Sequence, residues 1–131
     1  MKVERRKDEM VLRGLRGATT STNNSYKAIE SAVNELITEL VKRNALRPER
    51  IVSVTFSVTA DLDACFPAAI ARRQEGWEEI ALLDCQQMAV PGDLKYCIRI
   101  LAHAWLPEDQ ISKHPYLGKA TLLRPDRSEH Q

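Results

Sequence analysis

Hydrophobic positions in the first half of the chain recur with the periods of a strand, a helix and a second strand. Residues 11–20 (VLRGLRGATT) predict a strand, and the two glycines inside it are typical of a bulge or a close backbone approach. Apolar residues then recur at helical spacing over 28–41, after a run of N-cap residues at 22–25. This pattern predicts a helix that ends near Asn44. The β-branched segment 51–58 (IVSVTFSV) predicts the second strand.

The second half of the chain predicts shorter elements. A proline suits the first position of a helix, and residues 67–75 predict one, with Gly76 as its left-handed C-cap. Residues 79–84 predict a short buried strand that ends on an aspartate. Residues 96–105 alternate between two faces and predict a longer strand. Residues 116–123 predict a last one.

The predicted element order is β-α-β-α-β-β, with the strand over 116–123 as a seventh element. This order fits an α+β domain of two layers, with the helices on one face of a mixed sheet. We expect the domain to span residues 11–126, between a disordered extension over 1–10 and a flexible tail over 127–131, because both ends are polar and aperiodic. Aromatic residues make up only 5% of the chain, so association with other copies would help to cover the second sheet face.

Charge and composition narrow the class of protein. The 19 Lys and Arg residues almost balance the 18 Asp and Glu residues, whereas nucleic-acid and membrane-surface proteins carry a strong basic excess. No apolar run approaches the roughly 20 residues of a membrane helix, and the first residues lack the apolar core of a signal peptide. The three cysteines lack CxxC spacing. We therefore expect a cytoplasmic protein with reduced thiols that binds neither nucleic acid nor membrane.

Common catalytic motifs do not occur in the sequence. It contains no GxSxG, HExxH or P-loop pattern, and its histidines, His103, His114 and His130, are scattered. This pattern disfavours a metal site and a Ser-His-Asp mechanism.

Arginines within predicted strands are the remaining candidates for chemistry. Arg13 and Arg16 flank glycines in the first strand, and Arg99 lies between two isoleucines. An arginine in an apolar strand is costly to bury without a partner. One interpretation is an ion pair or a solvent-facing sheet surface. The other is an anion site, because the guanidinium fork binds carboxylates through two hydrogen bonds.

Short motifs in a fixed order carry a family resemblance. They are RGLRGATT at 13–20, TADLD at 59–63, CFPA at 65–68 with Arg72, GW at 76–77, QM at 87–88, CIR at 97–99, Pro107 with DQI at 109–111, YL at 116–117 and LRPD at 123–126. Together they resemble the monofunctional, trimeric chorismate mutases of the AroH type, over about residues 11–126.

This resemblance implies both a reaction and an assembly. Chorismate mutase converts chorismate to prephenate by an intramolecular Claisen rearrangement, on the route to phenylalanine and tyrosine, without cofactor, metal or covalent intermediate. The family fold is an α+β domain that forms a homotrimer with a pseudo-barrel. Its active sites lie in clefts between subunits, and the small molecule chorismate is the expected partner.

The resemblance also implies roles for individual residues. Arg99 corresponds to the cation that stabilises negative charge on the ether oxygen and touches a carboxylate. Arg16 corresponds to the arginine that grips the other carboxylate, and Tyr116 contacts that same end. The remaining implied substrate-binding residues line the cleft or help to capture the dianion: Phe66, Ala68, Leu83 and Leu123 for the first role, and Arg72 and Arg124 for the second.

Three positions depart from the family pattern. Gln87 stands where the family has a glutamate that binds the substrate hydroxyl, Asp84 replaces a cysteine, and Ala69 replaces a lysine. We hypothesise that Asp84 supplies the missing negative charge while Gln87 keeps the hydrogen bond to the hydroxyl, so that both are counted as catalytic. In the alternative interpretation Asp84 only caps the end of its strand.

Two other functions remain as alternatives. A trimeric imine deaminase shares the architecture and uses an interfacial arginine, but it lacks the RGxRGATT start. A degenerate mutase retained as a carboxylate-binding or interaction module is supported only by the lost glutamate.

Overall fold

The protein is built around a four-stranded mixed sheet, as seen in a computed structural model that describes residues 9–124. The strands lie in the order β1-β4-β2-β3, and only β2 and β3 are parallel. Their bounds are Met10–Thr20 for β1, Ile51–Val58 for β2, Ala81–Gln86 for β3 and Cys97–Pro107 for β4. Two α-helices are added, α1 (Tyr26–Asn44) and α2 (Pro67–Ala71), with 3₁₀ turns at Pro48–Arg50 and Gly118–Leu122.

The long helix α1 forms where its apolar period predicts it. Its N-cap is Ser25, whose hydroxyl accepts a hydrogen bond from the Ala28 N–H. Ala45 ends the helix in the left-handed region, with φ of 49°. Its buried stripe faces the sheet, and each large member contributes about 1.5–3 kcal/mol of burial free energy. The stripe consists of Ile29, Ala32, Val33, Leu36, Ile37 and Leu40. None of the helices within residues 9–124 has the length and apolar character needed to cross a membrane.

The sheet has two unlike faces. Both helices pack on the first, the helix face, where alternate β4 residues such as Ile98 and Ile100 are buried together with Phe56. The second, the open face, carries the intervening positions, and exposed apolar side chains remain on it. It includes Leu12, Arg16, Thr55, Ser57, Leu83, Arg99, Leu101 and His103. The predicted α+β arrangement, with helices on one face of a mixed sheet, is therefore confirmed.

The second helix is shorter than its pattern predicts. It ends at Ala71 rather than at residue 75, and the chain continues in turns in which Arg73 and Gln74 donate to carbonyls three residues earlier. Gly76 has a φ of +83° but belongs to this turn and does not cap the helix. The next residue, Trp77, is only 2% exposed. Because its large ring is buried in the core, the chain leaves the helical path before this position.

The predicted last strand is wrong. Only Tyr116 makes a β-bridge, parallel to Ala18 at the free edge of β1. Gly118, with φ of +55°, then turns the chain into a 3₁₀ segment that buries Ala120 against the same two side chains. The order of regular elements is therefore β-α-β-α-β-β.

Other boundaries shift by one or two residues. β3 begins at Ala81 and ends at Gln86, two residues later than predicted, so Asp84 lies within it. β1 begins at Met10, a buried residue inside the segment expected to precede the domain. The remainder of that extension, residues 1–8, and the predicted tail over 127–131 lie outside the described residues.

A buried asparagine ties the end of α1 to the segment that carries Tyr116. The Asn44 amide donates to the carbonyls of Leu40 and Lys113 and accepts from the Lys113 N–H. Two residues after Lys113, the Pro115 carbonyl oxygen accepts a hydrogen bond from the Ala18 N–H at 3.0 Å. Tyr116 is thereby held against β1.

We expect Gly17→Ala to destabilise the fold, because an added Cβ would lie 2.7 Å from the Pro115 carbonyl oxygen. Either the segment leaves the β1 edge or β1 shifts, at a cost of about 1–3 kcal/mol. Gly14→Ala is the matched control on the same strand, where the nearest atoms lie at 3.9 Å. Chemical denaturation of both variants measures the difference, and equal stabilities would contradict the close approach.

Candidate active site

A cavity of about 460 Å³ lies on the open face, between β1, β4 and the segment after residue 115. It brings together five of the predicted site residues: Arg16, Arg99, Tyr116, Leu123 and Arg124. Its other lining residues are Gly17, Thr55, Ser57, Ile100 and Leu101. The cavity therefore combines three guanidinium groups, a phenol and apolar walls, which suits a small organic anion.

Arg99 is the central cation of this cavity. It lies mid-strand in β4, between Ala18 of β1 and Ser57 of β2. Its side chain is only 25% exposed, and Nη2 donates to Oδ1 of Asp93 at 3.2 Å. Nη1 is buried and has no hydrogen-bond partner among residues 9–124. A buried donor without a partner is costly, so this atom is suited to receive a ligand.

Arg16 and Tyr116 are placed beside Arg99 by the pairing of β1. Arg16 is opposite Leu101 on the open face and is exposed, and its backbone N–H donates to Nδ1 of His114 at 3.0 Å. Tyr116 is buried and forms a bridge to Ala18, which lies between Tyr116 and Arg99 in the register. These three residues therefore line one cavity within a single chain.

Gln87 does not line this cavity but contacts Ser57, which does. Its N–H donates to the Val58 carbonyl at 2.7 Å, and its Oε1 accepts from the Ser57 hydroxyl at 2.6 Å. Ser57 lines the cavity, whereas Gln87 lines a neighbouring one. The amide is therefore fixed next to the site, with its carbonyl oxygen engaged by Ser57.

The other predicted site residues lie elsewhere on the same chain. Phe66, 70% exposed, and Asp84 line a second cavity of about 620 Å³ between α2 and β3. Leu83 is 62% exposed on the open face, and Arg72 is exposed just after α2. Ala68 is buried in the core. A single chain therefore does not bring this group to Arg99.

Asp84 is held on the helix face, opposite to Arg99. It pairs with Phe56 in the parallel register, and its Oδ1 accepts from the Ala68 N–H at 3.0 Å. It anchors the start of α2, so Asp84 makes a structural contact of the kind that the alternative interpretation expects, although from within β3 and not at the end of the strand. Burial raises the pKa of this carboxyl, although the Ala68 hydrogen bond and the charge of Arg72 act to lower it.

Asp93 is the residue that sequence reasoning missed. Residue types such as Pro91-Gly92-Asp93 indicate only a turn, and a turn is present, with Gly92 at φ of +87°. The pKa of Asp93 is lowered, first by the hydrogen bond from the Leu94 N–H and then by Arg99, while burial opposes both. The available signal was Arg99 itself, because a buried arginine in the middle of a strand requires a nearby acid.

Comparison with known proteins assigns the family. The profile of chorismate mutase type I matches residues 12–127. The chain belongs to the type I chorismate mutase family. Its function is that of a chorismate mutase, an isomerase, and this assignment sets aside the imine deaminase alternative.

Relatives from three organisms are similar over most of their length. Chorismate mutase AroH of Bacillus subtilis (strain 168) is 39% identical over 121 residues, which cover 91% of this chain and 94% of that protein. Chorismate mutase AroH of Thermus thermophilus is 38% identical over 125 residues, 92% of this chain and 100% of that protein. The solved structure of the Clostridium thermocellum chorismate mutase superposes with a TM-score of 0.78 at 38% identity, over 84% of this chain and 98% of that one.

We expect Asp84→Asn to raise the stability of this chorismate mutase at neutral pH. Because the folded pKa of Asp84 is raised, the folded state binds more protons than the unfolded state, and stability falls as pH increases through the range from the unfolded to the folded pKa. The asparagine side chain does not ionise, so this pH-dependent loss of stability disappears. Its carbonyl oxygen can still accept the hydrogen bond from the Ala68 N–H. Thermal unfolding from pH 4 to 7 measures the effect, with Glu78→Gln as the control for net charge. A gain that does not grow with pH would contradict the assignment.

Proposed function

We propose that this chorismate mutase converts chorismate to prephenate at a site that a neighbouring copy of the chain completes. One observation carries the proposal: the predicted site residues form two separate groups on one chain. The first group surrounds Arg99 on the open face, and the second lies around Phe66 and Asp84. Exposed apolar side chains accompany each group, including Leu101 at the first and Phe66 at the second.

The cations of the first group match the charge of the substrate. Chorismate is a dianion, and the cavity holds Arg16, Arg99 and Arg124. We assign one carboxylate to Arg16, with Tyr116 beside it, and place Arg99 at the ether oxygen. Arg124 and, from the neighbouring copy, Arg72 attract the dianion toward the cleft.

Two effects lower the barrier to rearrangement. The carboxylate contacts hold chorismate in the compact diaxial conformer, in which the C–C bond can form as the C–O bond breaks. The breaking bond leaves negative charge on the ether oxygen, and a preorganised guanidinium there contributes about 3 kcal/mol or more. The buried Nη1 of Arg99 supports this role, since it has no partner within residues 9–124. We infer that the reaction needs no cofactor or metal.

The second group would close the cleft from the neighbouring copy. Phe66 and Leu83 supply apolar walls, and β3 is one of the two edge strands of the sheet, which are sites of association. Asp84 of that copy is the candidate for the charge that faces the positive ring fragment. Asp84 lines the same cavity as Phe66, which supports its place in this second group. A homotrimer in the cytoplasm is the assembly we infer, in keeping with the family resemblance.

We expect Arg99→Lys to lower kcat by at least about a hundredfold. Lysine keeps the charge but lacks the planar fork that spans the ether oxygen and a carboxylate. The measurement is the absorbance decrease as chorismate is consumed, at saturating substrate. The companion variant Arg16→Ala should raise KM as well as lower kcat, because it binds a carboxylate present before and during the reaction.

Two outcomes would contradict the assignment of Arg99. A near-normal kcat with a raised KM would mean that Arg99 contributes only uniform binding. Binding of chorismate by the unaltered protein without turnover would instead favour the degenerate, carboxylate-binding module.

Mixing two impaired variants should restore activity if the site is shared. We expect Asp84→Asn to lower kcat by about ten- to a thousandfold. After co-refolding with Arg99→Ala, some clefts combine the intact Arg99 of one copy with the intact Asp84 of another. Sedimentation should show a trimer, and activity should exceed that of either variant alone. An active monomer, or an Asp84→Asn variant with unchanged kcat, would contradict this arrangement.

A further inference from the structure

We propose that Asp93 is a positioning residue for Arg99, which fixes the guanidinium so that one terminal nitrogen remains for the substrate. The proposal deepens the function above and rests on the assigned role of Arg99. None of the motifs that carry the family resemblance includes Asp93.

The geometry of the pair divides the guanidinium between two tasks. Asp93 accepts from Nη2 of Arg99 through Oδ1 at 3.2 Å, a contact to one nitrogen rather than a two-nitrogen clamp. The other terminal nitrogen, Nη1, is buried and has no partner among the described residues. A two-nitrogen carboxylate contact would occupy the fork that a ligand needs. The single contact orients Arg99 and leaves Nη1 for the reacting oxygen.

Asp93 is itself fixed by the turn that carries it. Oδ1 also accepts from the Leu94 N–H at 2.8 Å, which constrains the carboxylate from its own backbone. Leu94 packs against the small cluster of Ala18, Tyr116 and Ala120 beside the cavity. The turn over 91–94 is thus fastened to the same wall that holds Tyr116. Removing the Asp93 carboxylate would therefore change the orientation of the Arg99 side chain.

The other acidic candidates do not reach Arg99 in this chain. Position 87, where the family pattern has a glutamate, is a neutral glutamine whose carbonyl oxygen is bonded to Ser57. Asp84 lies on the opposite face of the sheet. Within residues 9–124, Asp93 is the acid paired with this arginine. A half-buried guanidinium needs such compensation to remain in one orientation.

A competing interpretation predicts different kinetics. Asp93 could occupy the place of a substrate carboxylate on Arg99 and be displaced on binding. Removing a competitor lowers KM and leaves kcat unchanged, whereas removing a positioning group lowers kcat with little change in KM. The two interpretations therefore separate in one kinetic measurement.

The test uses Asp93→Ala and Asp93→Asn in the full chain. We expect Asp93→Ala to lower kcat about ten- to a hundredfold with less than about a threefold change in KM, because a small misplacement of a catalytic group is costly. Asp93→Asn keeps an acceptor oxygen at the same distance and should recover part of the loss. Glu78→Ala, which removes an exposed acid between α2 and β3, is the control and should leave both constants unchanged.

A double-variant cycle distinguishes action through Arg99 from a general effect on the fold. In an Arg99→Ala background, Asp93→Ala should cause little further loss, since the group that it positions is absent. Thermal unfolding and sedimentation confirm that each variant is assembled. If Asp93→Ala does not fold, the same double-variant cycle is measured with Asp93→Asn in its place.

Three results would overturn the proposal. They are an unchanged kcat in both Asp93 variants, a lower KM at unchanged kcat, and a loss that is equally large with and without Arg99. The failure of the proposed function looks different, because Arg99→Lys itself would then retain normal turnover.

Discussion

A cation placed in the middle of a sheet is the constraint on which the site depends. Arg99 lies between β1 and β2, where solvation is limited, so its guanidinium must be compensated by fixed partners. Asp93 supplies one partner through Nη2, and Nη1 remains without one in the described chain. A buried donor without a partner is costly, so the fold places this nitrogen where an additional acceptor would be stabilising. A preorganised donor of this kind is what electrostatic stabilisation of a transition state requires.

The period of two along a strand decides which groups can act together within one copy. Asp84 and Leu83 are neighbours in β3, yet only Leu83 shares the open face with Arg99. Asp84 contacts the start of α2 instead and carries a raised pKa because it is partly buried. A carboxylate on the helix face reaches an arginine on the open face only if it belongs to another copy. The proposed action of Asp84 at a cleft with Arg99 therefore requires an interface between two copies of the chain.

The long helix and the longer strands are predictable from the sequence. The α1 stripe and the Ser25 cap, the β2 segment and the alternation of β4 all follow from local pattern, because burial selects one face of each element. Predictions failed where a tertiary contact redirected the chain. Trp77 is buried where the helical pattern over 67–75 gives way to turns, and the single bridge of Tyr116 to β1 replaces a strand. Those contacts join residues far apart in sequence, so no local period reports them.

The sequence by itself determined the family, the fold class and the arginines that line the candidate site, since these depend on residue types in a fixed order. The two glycines of the first strand indicated a bulge or a close backbone approach, without distinguishing Gly14 from Gly17. Only the tertiary structure showed that Pro115 is the neighbour, that Asp84 lies away from Arg99, and that Asp93 lies beside it. The physical reason is that strand register and turn geometry set which side chains meet across a sheet. A residue read as part of a turn acquires its chemical role only when the fold brings a charge to it.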